Sequence, residues 1–343
     1  MKRALVIGGS GYFGSLLRRE LLRSGFFCAT MDRLPAPAME QSPVIIGDIR
    51  RPEDLARCAE HGPYEAVFHV AAELAHEVES KTALWESNVT GTRNVAEMCV
   101  GNGWPKLVFT SSNCLWGRGF SRPITELDEP CPIETYGKSK WEGEKILQQH
   151  SGSLHSSILR CPTIISAGRL GLLGILFEFI QENRRIYTVG QGDNRYQFIY
   201  GPDLARACIQ VAAEARTDVY NVGSDNVSSL REIFQHVIRC AGSGSRIVAL
   251  PKGPTLFLMR LVHHLGISPL GPYHYRLISE SFSFDTSKLK KQFGWSPTHS
   301  NQEMLAEAYN HYVKSLQEAT PASRSAHQRS AAMGIIRLVK WLS

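Results

Sequence analysis

The absences in this chain narrow its class before any motif does. Its eight cysteines (28, 58, 99, 114, 131, 161, 208 and 240) include no C-x-x-C pair and no Cys/His group at metal-ligand spacing, which argues against a disulfide framework and against a metal site. They read as reduced, mostly buried small hydrophobes of a cytoplasmic protein. No block of Lys and Arg interleaved with aromatics occurs, and a net charge of +6 over 343 residues is modest, so nucleic acid is not an expected partner. No segment approaches the roughly 20 apolar residues of a membrane span. The apolar run after Met1-Lys2-Arg3 extends only from Ala4 to Ile7, too short for the core of a secretory signal.

The first 165 residues alternate strand and helix. Ala4 to Ile7 is continuously apolar and stops at glycine, which suits a central parallel strand buried on both faces. Phe13, Leu16, Leu17 and Leu21 then recur at helical spacing up to Ser24-Gly25. Further strands are predicted at Phe26 to Met31, Val44 to Gly47, Ala66 to Val70 and Lys106 to Thr110, with a helix over residues 82 to 101. The pattern predicts an α/β fold of the Rossmann type, a doubly wound parallel sheet whose ligands lie at the carboxyl ends of the strands.

Two motifs carry the chemistry. Gly8-Gly9-Ser10-Gly11-Tyr12-Phe13-Gly14 follows a strand and opens a helix, an arrangement that brings a dinucleotide pyrophosphate onto helix N-terminal amides. Asp32, 18 residues after Gly14, ends the second strand, where a carboxylate accepts ribose hydroxyls and repels a 2′-phosphate. NAD is therefore expected rather than NADP, although Arg33 next to it is of a type that receives phosphate. Asp48 either contacts the adenine or caps the helix entered through Arg51-Pro52-Glu53-Asp54. The second motif is Tyr136-Gly137-Lys138-Ser139-Lys140, whose Tyr136 and Lys140 share a helix face so that the ammonium can acidify the phenol. Tyr136 then takes a proton from a substrate hydroxyl as hydride leaves the same carbon. His69 ends a buried strand and reads as a structural histidine, and Asn88 as part of a hydrogen-bond network.

Read in order, Gly8, Gly11, Gly14, Asp32, Asp48, His69-Val70-Ala71-Ala72, Asn88, Ser112 and Tyr136/Lys140 make the chain resemble an extended short-chain dehydrogenase/reductase of the NAD-dependent epimerase/dehydratase kind over residues 1 to 310. The resemblance implies that Ser112, Tyr136 and Lys140 are catalytic. It extends the cofactor set to Tyr12, Phe13, Arg33, Ile49, Val70, Ala71, Ala72, Tyr136, Lys140 and Pro162, and it puts Ser112 and Asn113 against the substrate. It further implies a homodimer paired through helices 82 to 101 and 136 to 150. The domain boundaries expected from it are a cofactor domain over 1–165 with a return segment at about 195–225, and a smaller substrate domain from 166–194 and 226–318.

The substrate is less sharply marked. Phe293-Gly294-Trp295-Ser296-Pro297 resembles the Gly-Trp-x-Pro ending of nucleotide-sugar-modifying relatives, but the Arg-Asp pair usual before the Phe198 to Asp203 segment is replaced by Asn194-Arg195-Tyr196-Gln197. Arg195 and Arg276 could still clamp a diphosphate, or be ordinary surface residues. Ser112-Asn113-Cys114 lacks the Thr-Asp-Glu of sugar dehydratases, so elimination of water is disfavoured. The preferred reaction is epimerisation of a nucleotide-linked sugar through transient oxidation. The runner-up is net oxidation or reduction of a less polar hydroxyl or ketone, favoured by the apolar 254 to 265 segment. Residues 319–343 read as a polar linker and a short amphipathic tail from Met333 to Ser343, for which docking on protein is favoured over contact with a membrane.

Overall fold

The computed structural model describes residues 1–37, 39, 42–74, 80–169, 171–264 and 272–317; the side chains of 172, 272–274 and 276 are not described. The tail from Met333 to Ser343 and its linker lie outside the described residues.

The cofactor half runs β1 (Arg3–Ile7), α1 (Tyr12–Arg23), β2 (Phe27–Asp32), β3 (Val44–Ile46), α2 (Pro52–Ala56), β4 (Ala66–His69), α3 (Lys81–Trp85), α4 (Gly91–Gly101), β5 (Lys106–Ser112), α5 (Thr135–Gln149) and β6 (His155–Cys161). β7 (Thr163–Ile165), α6 (Leu172–Gln181), β8 (Ile186–Val189), β9 (Phe198–Tyr200), α7 (Gly201–Ala212) and β10 (Asp218–Asn221) follow. The chain continues with α8 (Leu230–Cys240), β11 (Ile247–Leu250), α9 (Lys252–His264), α10 (Pro272–Ser279), α11 (Ser287–Phe293) and α12 (Asn301–Gln317). Seven strands form one sheet in the order β10-β6-β5-β4-β1-β2-β3, and every pairing in it is parallel.

The continuous apolar run of β1 has its cause in this sheet. Ala4 and Val6 enter the core with Phe13, Leu17 and Leu21 of α1 and Leu204 and Ala205 of α7. Leu5 and Ile7 enter the core with Val95 and Ala96 of α4 on the other face. With both faces covered, alternation with polar residues is excluded. A third core, including Trp116, Tyr196, Phe282, Phe284 and residues of α6, α8 and α12, holds the smaller half together.

The expected helix over 82 to 101 is interrupted. α3 and α4 are joined by a π-helical turn, Glu86–Thr90, with Ser87, Asn88 and Val89 buried. The turn aims the Asn88 amide: its oxygen accepts from the Glu73 amide at 2.8 Å, and its nitrogen donates to the Glu73 carbonyl at 3.0 Å and to Ser139 Oγ at 3.1 Å. Asn88 thus ties the loop after β4 to α5.

A buried ion pair fixes α5 to β6. Arg160 and Glu144, with side-chain exposures of 3% and 0%, meet at 2.7 Å. Removing one partner of such a pair strands the other charge, whereas removing both does not. Glu144→Leu is expected to lower unfolding stability by about 3–5 kcal/mol, and Glu144→Leu with Arg160→Met by clearly less, as measured by denaturant melts.

Candidate active site

The sheet order reverses between β1 and β4, the point where ligands of such sheets bind, and the glycine loop lies there. Gly8 has φ +90°, and a Cβ on it would stand 2.6 Å from the Ala71 Cα and amide nitrogen, so both the turn and the close passage of the Val70-Ala71 loop require glycine. A Cβ on Gly14 would collide with the Gly8 carbonyl, which lets α1 close tightly onto the loop. The N-cap of α1 is Gly11 with no capping side chain, and its first turn carries no acid, so this helix N-terminus suits an anion. These are the features a pyrophosphate cradle needs, and the residues fit NAD.

Asp32 is held beside this cradle. Its carboxylate accepts from the Ser10 amide at 2.9 Å and the Leu34 amide at 3.1 Å. Arg33 turns to Glu73, with which it forms an ion pair, so its charge is balanced by a protein carboxylate. Asp48 does not cap α2, whose N-cap is Arg51. It is clamped by Arg50, whose Nε lies 3.0 and 2.9 Å from its two oxygens and whose Nη2 lies 2.5 Å away. Burial pushes the Asp48 carboxyl up, but the Arg50 hydrogen bonds outweigh it and hold the group below the usual carboxylate range. Ile49 is buried against Gly91, and its carbonyl accepts from Asn94 at 2.9 Å. The Tyr12 hydroxyl donates to the Ser166 carbonyl at 2.9 Å, and Phe13 belongs to the core under the sheet. Val70, Ala71 and Ala72 are half-buried after β4, and Pro162 is buried between β6 and β7.

Ser112 ends β5, its Oγ accepting from the Cys114 amide at 3.1 Å. α5 starts against this end, because a Cβ on Gly137 would collide with the Cys114 carbonyl. Tyr136 is therefore half-buried at the carboxyl end of the sheet, with its carbonyl accepting from Ser139 Oγ at 2.8 Å. One turn on, Lys140 is buried. Its Nζ donates to the Thr110 carbonyl at 3.0 Å and lies 4.6 Å from the centre of the Phe109 ring. Burial lowers its pKa from 10.5 to about 8. His69 is a core residue whose Nε2 lies 2.9 Å from Thr92 Oγ1. Because that hydroxyl donates to the Asn88 carbonyl at 2.6 Å, the network assigns the imidazole proton to Nε2. Burial, with the Lys140 charge, brings the His69 pKa down to about 3, so it stays neutral.

Beyond Ser112 the structure gathers residues that the sequence did not connect. A cleft is lined by Asn113, Trp116, Arg118, Tyr196, Glu280 and Phe282, with Gly119 on its wall. The Asn113 amide donates to the Tyr196 hydroxyl, and Glu280 accepts from the Gly119 amide at 2.5 Å. Arg195 is not part of it. Exposed, with its guanidinium donating to the Val227 carbonyl at 2.6 Å, it points away from the face that Tyr196 shows to Asn113. Successive residues in extended chain face opposite ways, and that alternation is the signal that would have selected Tyr196. The Arg276 side chain lies outside the described residues. Asn194 fastens the wall, donating to the carbonyls of Leu277 and Glu280 at 3.0 and 3.3 Å.

Fold and site together define an extended short-chain dehydrogenase/reductase, and the chain is an enzyme of that class. Residues 4–223 match the NAD dependent epimerase/dehydratase family. An uncharacterised Sinorhizobium fredii protein, y4nG, is 35% identical over 99% of this chain and 86% of its own length. The UDP-glucose 4-epimerase of Thermotoga maritima, solved with UDP-glucose, superposes with a TM-score of 0.75 at 22% identity over 92% of this chain and 99% of its own. Bordetella bronchiseptica WbmG, solved with NAD, gives 0.74 at 21% identity over 91% and 94%. This chain belongs to the NAD dependent epimerase/dehydratase family, and its cofactor is NAD.

The buried Lys140 leaves a measurable mark on stability. With a folded pKa of about 8 against 10.5, the unfolded chain binds more protons through that interval, so stability rises with pH there. Lys106, also brought down to about 8 by burial, contributes a similar rise. The buried thiols of Cys28, Cys58, Cys99, Cys161 and Cys208, pushed up from about 9 by burial, oppose this above pH 9, so Lys140→Met is expected to lower the slope of stability against pH relative to the parent between about pH 8 and 9, as read from denaturant melts.

Proposed function

We propose that the protein is an epimerase that transiently oxidises one hydroxyl of a nucleotide-linked sugar. The observation that carries this reading is the cleft that begins at Asn113, next to Ser112 in sequence, and is lined by the aromatic Trp116, Tyr196 and Phe282 together with Arg118. Aromatic walls suit a base and sugar rings, and a guanidinium suits a diphosphate. Several named relatives and a structural neighbour are UDP-glucose 4-epimerases, beside two 3beta-hydroxysteroid-dehydrogenase/decarboxylases that lean toward the second reading below.

In this reading the glycine loop Gly8–Gly14 holds the pyrophosphate of NAD, Asp32 its adenosine ribose and Asp48-Ile49 the adenine side. Val70, Ala71, Ala72 and Pro162 border the remainder, and Lys140 reaches the nicotinamide ribose. Bound NAD supplies the hydride acceptor. Tyr136 takes the proton of the substrate hydroxyl, and the Lys140 ammonium favours its phenolate over the ordinary phenol with a pKa near ~10. The Ser112 hydroxyl holds the substrate oxygen. Ser112-Asn113-Cys114 offers no carboxylate for eliminating water, and the Glu280 carboxylate that lines the cleft is engaged by the Gly119 amide. The keto sugar then turns over in the cleft and the hydrogen returns to its opposite face. In the cell the same reading makes the enzyme a cytoplasmic homodimer.

A second reading, net oxidation or reduction of a less polar hydroxyl, is favoured by the apolar walls and by the outward turn of Arg195. Cofactor behaviour separates the two, because an epimerase regenerates its NAD each cycle. Purified protein is expected to carry NAD and to be stabilised thermally by nucleotide sugars. Tyr136→Phe is expected to keep the cofactor and to lose turnover by about a hundredfold or more. Stabilisation by hydrophobic ketones alone would replace the epimerase with the second reading.

A further inference from the structure

α9 is built with its apolar side outward. Thr255, Leu256, Met259 and Val262 are half-buried on the inner side, while Phe257, Leu258 and Leu261 are 71%, 58% and 45% exposed. The helix has no fully buried residue. It is nonetheless tied down, since Tyr275 donates its hydroxyl to the Met259 carbonyl at 2.9 Å and Lys252 Nζ donates to the Ser279 carbonyl at 2.8 Å. Phe257 and Leu261 lie one turn apart with Leu258 beside them, a ridge of large apolar side chains that water would otherwise cover.

Charge decides what covers it. Arg260 and His264 are exposed along one flank of the ridge. From Ile233 to Ser279 the sequence contains no Asp or Glu, against five Lys and Arg at 239, 246, 252, 260 and 276. A second copy of α9 would bring the same sign of charge to the contact. So would the chain's own Met333–Ser343 segment, which carries Arg337 and Lys340 and no acid. An anionic surface is the complement. An apolar ridge of Phe and Leu flanked by the Arg260 guanidinium matches a helix lying in the interface of a bilayer, buried about 5–10 Å deep. Spanning is a separate matter, because no described helix is long and apolar enough to cross a membrane. The Met333–Ser343 segment has the same apolar and cationic composition with a Trp at 341, and stable attachment commonly needs two such elements.

We propose that α9 is a membrane-docking helix that seats Phe257, Leu258 and Leu261 in the surface of an anionic lipid bilayer. The surface is separate from the catalytic cleft and does not depend on which substrate the cleft takes. Full-length protein is mixed with vesicles of phosphatidylcholine alone or of phosphatidylcholine with phosphatidylglycerol, and the sedimented fraction is measured. Binding is expected to the anionic vesicles, to fall as salt is raised, and to drop at least about tenfold in Phe257→Ser/Leu261→Ser and several-fold in Arg260→Glu. Both variants change exposed side chains outside the catalytic machinery, so their NAD content and melting temperature are expected to match the parent. Equal binding to neutral and anionic vesicles, no binding to either, or unchanged binding by Phe257→Ser/Leu261→Ser overturns the proposal. Loss of a dimer in that variant, read by light scattering, overturns it in favour of a second copy.

Discussion

The site depends on how closely α5 approaches β5. Gly137 abuts the Cys114 carbonyl, and a Cβ on Gly143 would stand 3.1 Å from the Phe109 ring, so two glycines six residues apart bring the helix down onto the strand. Between them Lys140 is pressed against the Phe109 ring and the Thr110 carbonyl, with a proton that burial has loosened. A side chain at Gly137 would lift the helix and with it the ammonium, and one at Gly143 would have to displace the Phe109 ring by a few tenths of an ångström. The Arg160–Glu144 pair secures the same helix one turn further on, and Asn88 secures it from the loop after β4 through Ser139. A stretch of α5 thus carries opposite charges in the protein interior. The carboxylate is fully paired, whereas the lysine has a carbonyl as its hydrogen-bond partner, and the proposed mechanism uses that charge to act on the phenol of Tyr136.

The cofactor side rests on a second close approach, that of Gly8 to Ala71. The loop after β1 and the loop after β4 meet across the switch point of the sheet, and each also reaches the second strand's end. Ser10 donates to Asp32, while Glu73 takes Arg33. The carboxylate proposed to select the ribose and the cation beside it are therefore set by the same two loops. Their arrangement leaves Asp32 facing the cradle and removes Arg33 to Glu73, which gives the preference for NAD a structural cause that neighbouring positions in sequence do not reveal.

What could be read from sequence was what is local. The glycine loop, Asp32, Ser112 and the Tyr136/Lys140 spacing each lie within one strand end or one helix turn, where periodicity and turn chemistry act over a few residues. The parallel sheet was legible for the same reason: β1 is apolar without alternation because helices cover both its faces. The π-helical turn at Glu86–Thr90 was not, since nothing in residues 82 to 101 breaks the helical spacing of apolar side chains. Nor was the cleft, which joins residues 113–119, 196 and 280–282 across long stretches of chain. There an error of one residue in extended chain changes the face a side chain shows, and this separates Arg195 on Val227 from Tyr196 on Asn113.

The Gly-Trp-x-Pro segment illustrates how a family signature can mark architecture instead of substrate. Trp295 is buried in the core beneath the main sheet, and its indole nitrogen donates to the Asp203 carbonyl at 3.0 Å. The Asp203 carboxylate, 1% exposed, accepts from the Thr298 amide and hydroxyl, both at 2.7 Å. Gly294, at φ +63°, ends α11 and turns the chain toward this contact. The segment therefore anchors the last helices to α7 and the cofactor half, and any member that closes its second half in this way has reason to keep it. In the proposed function, discrimination among substrates falls instead to Trp116, Gly119, Tyr196 and Phe282, which line the cleft with Arg118 as its cation.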